Sequence, residues 1–123
     1  MATRKAKTPP FVARVLGLLL PLGPVQARAM FGAHGLYLDG LIFAIVTDDA
    51  LFFKIDAVSR ERFIKKGCEP LTYEGRSGTI ALPYYETPDG TLTSTRRLLP
   101  WAELGLEAAR RITREKAAKK RRG

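Results

Sequence analysis

Cys68 and His34 are the only residues of their kinds in the chain, and together they are the one thiol–imidazole pair it could field. A nucleophile needs a base in hydrogen-bond reach, itself held by a third group. Cys68 falls just past the end of a helical stretch, where the helix dipole disfavours a thiolate, so an inert thiol is expected. Asp48 and Asp49 are adjacent, but neighbours on a strand point to opposite faces, and in a turn both are solvated. Asp39, Asp48, Asp49 and Asp56 have neither EF-hand nor zincin spacing. A single cysteine and a single histidine cannot assemble a structural zinc site within one chain, and no intrachain disulfide can form. No catalytic residue, cofactor or metal is assigned, and the chain reads as non-enzymatic.

Binding motifs are no stronger. Gly32-Ala33-His34-Gly35 is a G-x-x-G element of the kind that clamps a nucleic-acid backbone, but there the loop joins two helices and here it joins strands. A turn that redirects the chain is the expected role, with His34 exposed in the loop. Tyr73 with Arg76, and the pair Tyr84-Tyr85, have the types needed to stack on bases. Packing of alternate residues on a strand explains them more simply. Met30, Phe31 and Trp101 are assigned to the core.

Charge is the feature that stands out. The net charge is +9. Arg4, Lys5 and Lys7 contribute +3, and Arg110, Arg111, Arg114, Lys116, Lys119, Lys120, Arg121 and Arg122 against Glu115 contribute +7. Residues 8–109 therefore carry −1. The organisation expected is a basic arm at residues 1–8, a near-neutral domain at 9–112 and a basic tail at 113–123. Such a tail is usually a solvated end that aids solubility, and its functional reading is salt-sensitive, sequence-independent binding to phosphates.

The elements that position these residues follow from periodicity. Thr8-Pro9-Pro10 marks a helix start, with Thr8 as cap, and Phe11, Val12, Val15, Leu16 and Leu18 to Leu20 give an apolar stripe ended by Pro21 and Gly23-Pro24. Basic residues followed by this run and Ala27-Arg28-Ala29 imitate a secretory signal. Pro21, Pro24 and Arg14 interrupt it, so a cytoplasmic protein is expected, and no run is long enough to cross a membrane. Strands are expected at residues 25–31, 36–38, 41–47 and 51–55, with tight turns at Asp39-Gly40 and Asp48-Asp49. Leu51, Phe53 and Ile55 then share one face, and Phe52 and Lys54 the other. Asp56 caps a helix over 57–66, with Phe63 and Ile64 inward and Gly67 as its stop. Strands at 71–74 and 79–85 follow. The last helix begins near Leu98 or Pro100, docks through Leu98, Trp101, Gly105, Ala108 and Ile112, and frays beyond Ile112. The fold class is α+β: an antiparallel sheet of five to six strands with helices on one face, in the order α-β(3–4)-α-β(2)-α.

Several of these segments resemble, in order, the N-terminal domain of the TfoX/Sxy family of competence regulators. The longest runs from Met30, Phe31, Gly32 and Gly35 through Tyr37, Asp39 and Gly40 to Ala44. It is joined by Asp48-Asp49 with Leu51 to Asp56 including Lys54, by Phe63 and Gly67, by Glu69 to Tyr73, by Tyr84-Tyr85-Glu86, and by Trp101-Ala102. The likeness spans residues 10–112. It implies a two-layer fold similar to type III secretion chaperones, frequent dimerisation, and a link to transcriptional control of competence genes, with no enzymatic activity. The chain departs from the family in ending at a basic tail where full-length regulators carry a helical second domain. Its Ala33-His34 also stands where a glycine and an aromatic are usual. A homodimer that contacts a protein partner in transcription is the expected mode of action. Non-specific nucleic-acid association through the tail is the alternative, and no membrane is involved.

Overall fold

The computed structural model describes residues 8–122, with side chains through Lys120. The basic arm's Arg4, Lys5 and Lys7, and the side chains of Arg121 and Arg122, lie outside the described residues.

The chain opens with helix α1 (Pro10–Leu18) and a 3₁₀ turn (Leu20–Leu22). Four strands follow: β1 (Gln26–Met30), β2 (Ala33–Leu38), β3 (Leu41–Thr47) and β4 (Ala50–Lys54). Helix α2 (Arg60–Lys65), strands β5 (Pro70–Gly75) and β6 (Gly78–Glu86), and helix α3 (Thr95–Arg122) complete it. The six strands form one antiparallel sheet in the order β1-β2-β3-β4-β6-β5. The α+β, two-layer architecture is as the sequence predicts, and the strand at 25–31 is a genuine edge strand.

Three two-residue turns fix the register of the first four strands. Phe31-Gly32, Asp39-Gly40 and Asp48-Asp49 each place both residues at positive φ, the geometry whose twist matches flanking strands. Aspartate tolerates that region well; phenylalanine there costs roughly 1–2 kcal/mol. Between Leu36 and Tyr37 the β2–β3 register slips, and Phe43 becomes the extra residue opposite them. This bulge lets consecutive Phe43 and Ala44 both be buried.

One core holds the layers together. Val12, Val15 and Leu19 of the N-terminal segment meet Leu36, Ala44, Val46, Leu51 and Phe53 of the sheet, and Leu98, Ala102, Leu106 and Ala109 of α3. Phe43 and Phe53 stack at 6.5 Å, and Phe63 of α2 packs edge-on against Trp101 at 5.0 Å. Trp101 is thus half-buried at the core's margin.

Gly105 sets the closeness of α3 to the sheet. A Cβ there would sit 3.0 Å from the Phe43 carbonyl oxygen and 3.1 Å from Phe53 Cβ, so a methyl group would push strand backbone and a buried ring aside by a few tenths of an ångström. Gly17, inside α1, has open space where a Cβ would go. Replacing each by alanine should therefore give opposite signs in urea melts. Gly17→Ala should gain about 0.5–1 kcal/mol from helix propensity, and Gly105→Ala should lose about 1–2 kcal/mol to overpacking.

Several local expectations need correction. Pro9, not Thr8, is the cap residue of α1, and no side chain caps that helix. α2 is confined to Arg60–Lys65 because residues 57–59 form a turn, in which the Asp56 carboxylate accepts the Val58 and Ser59 N–H groups. Ile64 faces solvent rather than the core. Gly67 closes the helix in a left-handed conformation, with Cys68 N–H donating to the Phe63 carbonyl and Gly67 N–H to that of Ile64. α3 starts earlier than Leu98 because Ser94 Oγ accepts the Arg97 N–H as a cap. It then continues unbroken to Arg122, so the expected fraying beyond Ile112 is not seen.

Candidate functional site: the open face of the sheet

The helices cover one side of the sheet; the other is bare. Register places Tyr37 opposite Ile42, Ile45 opposite Phe52, Phe52 opposite Glu86, and Lys54 opposite Tyr84 on that open side. Tyr37, Ile42, Ile45 and Phe52 are all half-buried, and Tyr84 is buried. The split of Leu51 and Phe53 from Phe52 and Lys54 is therefore as expected.

At one end this face deepens into a groove of about 460 Å³. Met30, Phe31, Ala33 and Ile45 form one wall and Leu71, Tyr73 and Leu82 the other, with Thr47, Asp48 and Thr72 between them. The two walls come from opposite ends of the strand order, so the sheet curls to bring the β5–β6 hairpin across from the β1–β2 turn. The lining is mainly apolar, with Thr47, Asp48, Thr72 and Tyr73 as its polar residues.

Phe31 stands at the rim, 105% exposed at positive φ on the turn tip. Its assignment to the core is wrong: a two-residue turn leaves its tip no interior to fill. Tyr73, across the groove, is half exposed, and Ile80, its register partner, is 40% exposed. Met30 is half-buried on β1.

Cations ride on the aromatic rings of this face. Arg28 lies 4.8 Å from the Tyr37 ring and Lys54 5.6 Å from that of Tyr84. Burial, with a smaller effect from Tyr37, pushes the Tyr84 hydroxyl up to about 12. Lys54 is lowered by burial first and then by the charge of Lys116. Tyr85 turns the other way and packs on Phe63, 6.2 Å between rings, so the tyrosine pair is divided between the two faces.

The remaining candidates are dispersed. His34 is not in an exposed loop: the turn ends at Gly32, and His34 is a half-buried strand residue paired with Ala29 and Val46. It lines a shallow groove with Asp48, Asp49 and the start of α1, in which both aspartates are exposed. Cys68 lines a different groove beside Glu69, Glu86 and Asp89. Its thiol is pushed up by burial and then by the charges of Glu86 and Asp89, which favours the protonated form. Among the described residues, no group of three or more His, Cys, Asp or Glu side chains could hold a metal ion. No helix among them is long and apolar enough to cross a membrane.

The basic residues lie apart from the groove. Arg110 pairs with Glu107 at 2.9 Å. Arg111 grips Asp56 with two hydrogen bonds, 2.6 Å from Nε and 3.0 Å from Nη2, and the same carboxylate caps the turn before α2. Arg114, Lys116, Lys119 and Lys120 project into solvent. The Arg111–Asp56 grip carried no sequence signal, because the partners are far apart in the chain. Gly105 did carry one: a glycine within an apolar helix stripe marks close approach.

The model of the TfoX N-terminal domain matches residues 17–109, most of the chain. The chain belongs to the TfoX N-terminal domain family. It is similar to Protein Sxy of Escherichia coli (strain K12), with 28% identity over 91 residues. The alignment covers 74% of this chain and 44% of Sxy, so the chain spans less than half of that relative. The TfoX-type match contains the whole sheet, α2 and the docked part of α3; Arg110 and all that follows lie beyond it.

Proposed function

We propose that this chain is a non-enzymatic regulatory module of the competence-regulator type that acts in the cytoplasm by docking to protein, first of all to a second copy of itself. Membership of the TfoX N-terminal domain family supports the competence-regulator type, and a role in transcriptional control is part of the proposal. The observation that carries the docking part is the pairing, on one face, of a fully exposed aromatic with an apolar groove. A surface that bears both a protruding side chain and a recess is self-complementary, which is what a two-fold dimer requires. Phe31 of each copy would enter the groove of the other and cover Tyr73, Leu71 and Leu82. A strained, solvent-exposed phenylalanine contributes nothing to the folded monomer, so its benefit is expected in the complex.

Sedimentation at micromolar concentration tests this. The protein should run as a dimer, and Phe31→Asp should weaken self-association at least tenfold while leaving the melting temperature of the dilute monomer unchanged or slightly raised, because aspartate suits the positive-φ turn better. A wild-type protein that is monomeric throughout the micromolar range removes the second copy as the occupant.

A further inference from the structure

We propose that the C-terminal half of α3 is a preformed rod that binds double-stranded DNA through its phosphate backbone, without reading sequence. The last residue that α3 buries against the domain is Ala109. The helix nevertheless continues to Arg122, and residues 113–117, 119 and 120 are exposed. At 100° per residue, Lys116, Lys119 and Lys120 fall within one arc of about 100°, and Arg114 stands on the opposite side of the axis. Residues 110–123 hold +7 of the chain's +9. Arg111 is engaged by Asp56 at the entry to α2 and so anchors the rod, and Arg110 is paired with Glu107 one turn back on the same helix. Lys54 and Lys116 are close enough for repulsion, so the positive charge there is not neutralised internally.

The chemistry of the rod selects among polyanions. A membrane-surface helix needs an apolar face with Trp, Phe or Leu, and the only apolar residues here after Ile112 are Ala117 and Ala118. Single strands are held by stacking on aromatic rings, and none follows Trp101. Duplex RNA offers a major groove too narrow and deep for side chains to read. B-form DNA has a major groove about 12 Å wide, the diameter of a helix with its side chains, lined on both walls by phosphates. Cations on two opposite sides of one helix suit two walls. The absence of Asn and Gln from the rod fits backbone contact rather than base readout.

The test is fluorescence anisotropy of a random-sequence 20-base-pair duplex titrated with the full-length protein over a range of salt concentrations. Each phosphate contact contributes a slope of about −0.9 in log K against log salt. The quadruple variant Arg114→Gln, Lys116→Gln, Lys119→Gln, Lys120→Gln keeps helix formers at exposed positions, so circular dichroism and melting should match the wild type. Its slope should be shallower by about 3–4, with affinity in low salt at least tenfold weaker. The charge-conserving set Arg114→Lys, Lys116→Arg, Lys119→Arg, Lys120→Arg should bind as the wild type does. Unchanged binding and slope in the glutamine variant overturns the proposal. So does equal competition by poly-glutamate, duplex RNA or single-stranded DNA at matched charge, which would point to an acidic protein or another polyanion.

Discussion

Phe53→Ala should lower the unfolding free energy by about 3–5 kcal/mol, whereas Phe52→Ala, one residue away, should lower it by about 1 kcal/mol. The two side chains are chemically identical and alternate across the pleat. Phe53 is fully buried, stacks on Phe43 with rings 12° from parallel, and lies directly beneath Gly105 of α3. Removing it opens a cavity at the point where helix and sheet approach most closely, and the helix cannot sink further because its backbone already rests against the Phe43 carbonyl. Phe52 sits half-buried on the open face, where solvent fills the space it leaves. A domain of this size is stable by only about 5–15 kcal/mol, so the first loss approaches the whole margin and the second does not. Urea melts with equal slopes for all three proteins would measure the difference. Losses of similar size would mean that the open face is packed as tightly as the core.

Asp56→Ala should cost about 2–3 kcal/mol, for two reasons that share one carboxylate. Its Oδ1 accepts the Val58 and Ser59 N–H groups at the entry to α2, and both oxygens receive the Arg111 guanidinium from α3. A lost cap costs about 1 kcal/mol and a lost charge-assisted bidentate pair somewhat more. The Arg111 hydrogen bonds, helped by those from Ser59 and opposed by burial, pull the carboxyl down from its ordinary 3.8 to about 2. Because the folded group titrates below the unfolded one, its contribution is complete above about pH 4 and fades as the pH falls through 2. Melting temperatures of wild type and Asp56→Ala should therefore differ most at neutral pH and converge below about pH 2. Arg111→Ala should reproduce much of the loss, and a double-mutant cycle should return a coupling energy of about 1 kcal/mol or more. A gap between wild type and Asp56→Ala that stays constant down to pH 2 would show that the pair does not hold the two helices together.

Much of this architecture was legible in the residues, because short-range chemistry specifies it. Asp39-Gly40 and Asp48-Asp49 announce tight turns and Gly67 a helix stop, and each behaves as its type requires; Asp56 bonds the following N–H groups as its type requires, but in the turn before α2 rather than as the cap of a helix over 57–66. Alternation placed Phe53 inward and Phe52 outward without knowledge of the partner strands. What escaped depends on distant residues. The curl that sets Leu71 and Leu82 opposite Met30 arises from strand order and twist, which no local pattern encodes. Phe31 was misplaced because a hydrophobic residue beside a strand resembles core until the turn is known to be two residues long. The helix beyond Ile112 escaped for a different reason. Its stability does not come from an apolar face, and Arg, Lys, Glu and Ala are among the best intrinsic helix formers. The Arg111–Asp56 bond then fixes the preceding turn. Of the candidate site, a change of direction near Gly32 was visible in sequence, while the two-residue length of the turn, the exposure of Tyr73 and the groove itself were not.

Four of the five strand pairings join neighbours in the chain, and only β4 with β6 does not. The molecule is therefore two zippered halves stitched along a single seam, where Phe53 meets Tyr85 and Lys54 meets Tyr84. Cooperativity between the halves runs through that seam and through Phe63 of α2, which packs on both Tyr85 of β6 and Trp101 of α3. A partner that occupied the groove would touch both halves at once and act as a second stitch, so binding and folding are thermodynamically linked here.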